Sequence, residues 1–184
     1  MTTRFGSYRR FLLIGLVGLS LLPAEVGAQT AAPHTGRPDR FWLSAGLGVG
    51  SARQASVPDL GLAATATASY QHGVPVVVLR TAADWGIIHG DLLADVALLG
   101  GVGTRVAGSH ASIAIGPALT GSTVGSFGRH RVDYPTTLGA AVQVQLFGIA
   151  FHSLGFGLSG FGNLNRYQSF GGLTLALSVG AMPP

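Results

Sequence analysis

Phe41-Trp42-Leu43-Ser44-Ala45-Gly46-Leu47-Gly48-Val49-Gly50 decides the fold. Its odd positions are apolar, and its even positions are mostly small. A period of two marks an extended strand whose two faces differ, because successive side chains point to opposite sides. The same alternation returns from Leu138 to Leu146 and from Leu173 to Val179. Repeated strands with one greasy face and one small, weakly polar face fit a barrel whose greasy side meets lipid.

Composition points the same way. Charged residues make up 10 % of the chain, against roughly 25 % in soluble domains, which is too few to clothe a water-facing surface. Beyond the leader, no run is apolar for the roughly 18 residues that a spanning helix needs. A chain that meets lipid without such helices must close its sheet, because lipid leaves the backbone groups of an open edge unsatisfied. Every basic residue except histidine is Arg, and three of them (Arg4, Arg9, Arg10) lie in the leader. The remainder is only slightly basic, so no nucleic-acid partner is expected. The absence of Cys excludes disulfides and thiolate metal sites.

Residues 1–28 read as a secretory signal peptide, with a basic start, an apolar core from Phe11 to Leu22, and small residues Val26-Gly27-Ala28 for cleavage before Gln29. Residues 29–39, with Pro33 and Pro38, read as a polar linker, and residues 40–182 as the barrel.

Eight strands are expected, near 40–50, 60–71, 74–85, 92–105, 111–120, 135–147, 150–160 and 169–181. The result is an all-β, antiparallel, up-and-down transmembrane barrel. Longer connections (Ser51–Asp59, Gly86–Asp91, Gly121–Tyr134, Phe161–Gln168) alternate with tight ones at His72-Gly73, Ala107–His110 and Gly148-Ile149. Short periplasmic turns and longer outer loops are the plan of such barrels. With the N-terminus in the periplasm, all four longer loops face outward.

Aromatic residues cluster at the ends of these strands. Phe41, Trp42, Tyr70, Trp85, Phe147, Phe151, Phe161, Tyr167 and Phe170 are therefore expected in girdles at the two membrane interfaces. The charges within strands, Arg80, Asp84, Asp95 and Arg105, share the parity of the small face. They are expected in the lumen as structural ion pairs, since charges near lipid are kept inside and paired. A turn centred between Ile87 and Ile88 sets Arg80 directly across from Asp95. Gln143 and Gln145 also face in, and a lumen lined by Gly, Ala, Ser and Thr is expected to be partly hollow.

On this strand pattern the chain resembles the small eight-stranded outer-membrane barrels, the OmpA/OmpX/OmpW-like group, from about Arg40 to Met182. The resemblance implies an outer membrane of Gram-negative type and a lipid-bilayer environment. It also implies a monomer delivered by the barrel-assembly machinery. Such barrels usually end on an aromatic residue, whereas this chain ends Ala181-Met182-Pro183-Pro184, with Phe170, Gly172, Leu175 and Leu177 in its last strand.

Little in the sequence carries chemistry. Gly155-Phe156-Gly157-Leu158-Ser159-Gly160 matches a dinucleotide motif, but that motif needs a strand-to-helix turn. His34, His72, His89, His110, His130 and His152 are scattered without metal-ligand spacing. His110 and Ser112 share a strand face, as a nucleophile and base would. They fall at a periplasmic turn with no carboxylate beside them in sequence. No catalytic residue, metal or cofactor is assigned, and the chain is read as non-enzymatic. Arg129 and Arg131 in the longest outer loop are candidates for contact with phosphates of a surface glycolipid. The expected role is structural or surface-interactive. A narrow conduit is the alternative, and a lipid-modifying hydrolase or a soluble lipocalin-like barrel stands further back.

Overall fold

The computed structural model describes residues 39–54, 57–87, 92–106, 108–126, 129–151 and 153–180. The signal peptide, the linker up to Pro38, and the residues His89 and Asp91 lie outside them.

Eight strands run β1 (Arg40–Gln54), β2 (Val57–Gln71), β3 (Pro75–Gly86), β4 (Leu92–Val106), β5 (Ser109–Ser126), β6 (Arg129–Phe151), β7 (Leu154–Asn165) and β8 (Gln168–Gly180). Each pairs antiparallel with its chain neighbour, and β1 pairs with β8, so the sheet closes into an up-and-down barrel. Closure satisfies the backbone groups that an open edge would leave bare.

The strands run longer than the alternation alone suggests. Most of the expected long loops are ladder. β1 and β2 stay paired to Gln54 and Val57, and β5 and β6 to Ser126 and Arg129. The far end, opposite the chain's entry at Arg40, is joined only by residues 55–56, 87–91, 127–128 and 166–167. The entry end is joined by 72–74, 107–108 and 152–153, so loop length does not distinguish the two ends. The reason is backbone pairing: a Ser-, Thr- and Gly-rich segment satisfies its amides by extending the ladder. The β5–β6 ladder shifts register where Gly121 faces Pro135 and Thr136. Pro135 has no N–H to give there. The tight turn expected at Gly148-Ile149 is not there: β6 runs on to Phe151, and β7 opens at Leu154. The turn at 72–74 uses Gly73 at φ 67°, a conformation that costs glycine nothing.

Parity holds along the strands. Leu43, Leu47, Leu79, Leu98, Val142, Val144, Leu175 and Leu177 are exposed on the outer face, Leu47 and Leu175 at 74 %. Leu154 is half-buried. Ser44, Thr65, Thr67, Ser69, Gln143, Gln145 and Ser159 are buried inside. The molecule is inverted relative to a soluble barrel, with grease outside and hydroxyls and amides inside.

Four aromatic expectations are overturned. Trp42, Phe147, Phe161 and Phe170 are buried in the lumen and belong to no girdle. Consecutive residues such as Phe41 and Trp42 cannot both face lipid. Phe147 likewise shares the parity of Gln143 and Gln145. Phe41, Tyr70, Trp85 and Tyr167 are exposed, and the side chain of Phe151 lies outside the described ones. The four inward rings add bulk to a lumen that also carries many small residues. Gly155–Gly160 lies wholly within β7. A side chain at Gly157 would run into the Leu146 carbonyl, so close strand approach accounts for that glycine, and no phosphate cradle forms.

Candidate functional site

The described polar interior is a stack of networks that fasten one wall of the barrel to another. At the entry end, Gln71 Nε2 donates to the carbonyls of Gly73 (2.7 Å) and Gly103 (3.0 Å). His110 packs edge-on against Trp42, ring centroids 4.7 Å apart. One step further in, Ser44 and Thr67 share a hydrogen bond of 2.6 Å, and Gln145 Nε2 donates to both. Ser112 Oγ donates to Gln145 Oε1 at 3.5 Å. Gln143 Nε2 donates to Ser159 Oγ at 3.1 Å, while Thr65 and Thr174 are 3.2 Å apart.

The centre of the stack is ionic. Arg80 Nη2 donates to Asp95 Oδ2 at 2.6 Å, with both side chains fully buried. Asn163 Nδ2 donates to the same oxygen at 2.6 Å. Arg80 Nη1 donates to the Val142 carbonyl at 2.8 Å, and its guanidinium lies 5.6 Å from the centre of the Phe161 ring. One side chain from β3 thus engages β4, β6 and β7. Sequence reasoning placed Arg80 and Asp95 on one face but in the wrong register. Arg80 stands across from Ala97, and Asp95 across from Ala82. The contact is diagonal, within reach of a long side chain. Asn163 was missed, since nothing local marks a residue whose partner lies 68 positions away.

Asp84 and Arg105 do not join this pair. Asp84 stands across from Leu93 near the far end, while Arg105 stands across from His110 at the entry end. Asp84 is fully buried, lies against Gly50 and Gly61, and accepts no hydrogen bond among the described residues. The side chain of Arg105 is not among those described. Beyond the ionic centre, Ala52, Ala63, Ala82, Leu93, Phe161 and Phe170 form an apolar plug. Ion pair and plug are both buried inside the barrel.

Among the described residues, no hydrogen bond joins Ser112 to His110. Ser112 donates to Gln145, and one contact of His110 is the ring of Trp42. His152 lies outside the described residues. Arg129 and Arg131 fall on the extended β5–β6 hairpin, and their side chains are outside the described set. No group of three or more metal-ligating residues forms among the described residues.

At the entry rim, His72 Nδ1 lies 2.5 Å from Asp39 Oδ1, tying the start of β1 to the β2–β3 turn. Hydrogen bonds from His72 and then Tyr70 hold the Asp39 carboxyl below its ordinary range. A depressed carboxyl stabilises the fold above its unfolded pKa, and that contribution is lost as pH falls through the folded value. In an NMR titration, Asp39 of the His72→Ala variant should titrate at higher pH than in the wild type. An unchanged midpoint would show that the contact does not hold in solution.

No protein-family model matches the chain, and no curated protein does either. Solved structures do match. Neisserial surface protein A superposes with a TM-score of 0.63 at 12 % identity, over 78 % of this chain and 99 % of that one. Ail, the attachment invasion locus protein of Yersinia pestis, gives 0.56 at 12 % identity, over 78 % and 99 %. The N-terminal β-barrel domain of Pseudomonas aeruginosa OprF gives 0.50 at 14 % identity, over 78 % and 98 %. Strand number, closure and the inverted distribution of polarity agree with these likenesses: the chain has the fold of the small eight-stranded outer-membrane barrels.

Proposed function

We propose that the chain is a non-enzymatic barrel of the outer membrane, with a structural or surface-interaction role. The observation that carries this reading is the inversion of polarity. A belt of exposed Leu, Val and Ile surrounds an interior that buries Ser, Thr, Gln and an ion pair alongside two apolar clusters. Exposed apolar area of that extent is untenable in water and is what a bilayer requires. The barrel carries its entry end on the periplasmic side and its far end, with the long β5–β6 hairpin, at the cell surface. Arg129 and Arg131 on that hairpin are positioned by sequence to meet anionic glycolipid. The Arg80–Asp95 pair buried in the interior favours a structural role over a conduit. The protein is exported through a cleaved signal peptide, inserted by the barrel-assembly machinery, and works as a monomer.

Fractionation tests this reading. The protein should sediment with the outer membrane, migrate faster unheated than heated on a denaturing gel, and begin at Gln29 on N-terminal sequencing. Recovery in the soluble periplasmic fraction would overturn the membrane assignment. A mature chain still beginning at Met1 or Thr2 would overturn the cleavage.

A further inference from the structure

The outer face is not uniformly clad. Over most of the girth, outward positions carry Leu, Val, Ile or an aromatic ring interspersed with smaller residues, as at Ala64, Ala66, Thr81 and Ala83. Towards the far end, on the side built by β6, β7, β8 and β1, they carry Ala140, Gly162, Ser169 and Ser51. Gly162 stands opposite both Val142 and Gly171, and Gly171 stands opposite Ser51. Small residues therefore adjoin one another across the β7–β8 and β8–β1 ladders, while on the β6–β7 ladder Ala140 faces Leu164 and Gly162 faces Val142. The result is an open groove of about 580 Å³, whose larger apolar lining residues on the outer face are Ile115, Val142 and Leu164. None of its lining residues is acidic, and one is a cation, the exposed Arg53. A second exposed cation, Arg166, stands in the turn joining β7 to β8.

An apolar groove facing lipid forfeits dispersion contacts unless something fills it, and a flexible acyl chain is the filler at hand. An outward-facing guanidinium is tolerated only at headgroup depth. Its fork of donors suits phosphate. A groove alone selects no headgroup, and a surface cation alone selects no lipid. The two together select a molecule that joins an acyl chain to a phosphate. We infer that this groove binds a phosphorylated glycolipid of the outer leaflet, an acyl chain lying along Val142 and Leu164 and a phosphate meeting Arg53. This rests on the membrane orientation proposed above, which puts the far end in that leaflet.

The test uses the refolded barrel in detergent micelles. Native mass spectrometry measures retention of lipid A bisphosphate, of its dephosphorylated form, and of phosphatidylglycerol. Unheated gel migration establishes that each variant is folded. The wild type should retain one lipid A bisphosphate in preference to the other two. Arg53→Gln should weaken that binding roughly tenfold, to the level of the dephosphorylated form. Ala140→Phe, which fills the groove from an exposed position, should weaken both forms. Equal retention by wild type and both variants overturns the site. Preference for phosphatidylglycerol overturns the glycolipid assignment. A lipid-independent dimer that Ala140→Phe dissociates makes the groove a contact between two copies and overturns the proposal. A barrel that fails to insert into vesicles at all overturns the membrane reading itself, separately from the groove.

Discussion

Arg80→Met should destabilise the barrel by about 3–5 kcal/mol, the cost of leaving a buried charge without its partner. The variant strands Asp95 in the lumen with Asn163 as its remaining side-chain donor. It also removes the bond to the Val142 carbonyl and the guanidinium beside Phe161. Asp95→Leu should cost a comparable amount by stranding Arg80. The double variant should regain much of the loss, because two apolar side chains of similar volume extend the adjoining plug and bury no charge. Urea unfolding of all four proteins in detergent gives the coupling directly. Simple addition of the two single effects would mean that the pair carries no net interaction and that the stack is held by its neighbours.

Leu175→Arg should lower stability in phospholipid vesicles by roughly 2–4 kcal/mol, whereas Leu60→Arg should cost about 0–1 kcal/mol. Both side chains face outward and both are well exposed. They differ in depth. Leu175 is centred on β8 and stands across from Leu47 in mid-β1, while Leu60 stands across from Ser51 towards the far end. A guanidinium near the end reaches headgroups and water, and one at the midplane does not. Equal cost at the two positions, or no cost at either, would remove the basis for placing this belt in a bilayer.

The aromatic residues show where sequence reasoning went astray. Strand-end position suggested girdles, yet parity, which was equally readable, assigned Trp42, Phe147, Phe161 and Phe170 to the inside. The side-chain period of two is enforced at every residue by backbone geometry. Girdle placement is only a tendency of composition. Where the two conflicted, geometry prevailed.

The alternation along each segment by itself determined that there are eight strands, which face of each is apolar, and that Arg80 and Asp95 share the interior. Those are short-range properties, set by the two-residue repeat. Tertiary structure decided which interior residues meet. The β3–β4 ladder closes two residues away from the symmetric register, so the ion pair is diagonal. Closure of β1 on β8 then fixes the tilt and stagger of every strand. Only that stagger brings Asn163 of β7 to Asp95 of β4, and lines up Ala140, Gly162, Ser169 and Ser51 beside Arg53. These meetings depend on the sum of registers around the whole barrel, a quantity that no single stretch of the chain encodes.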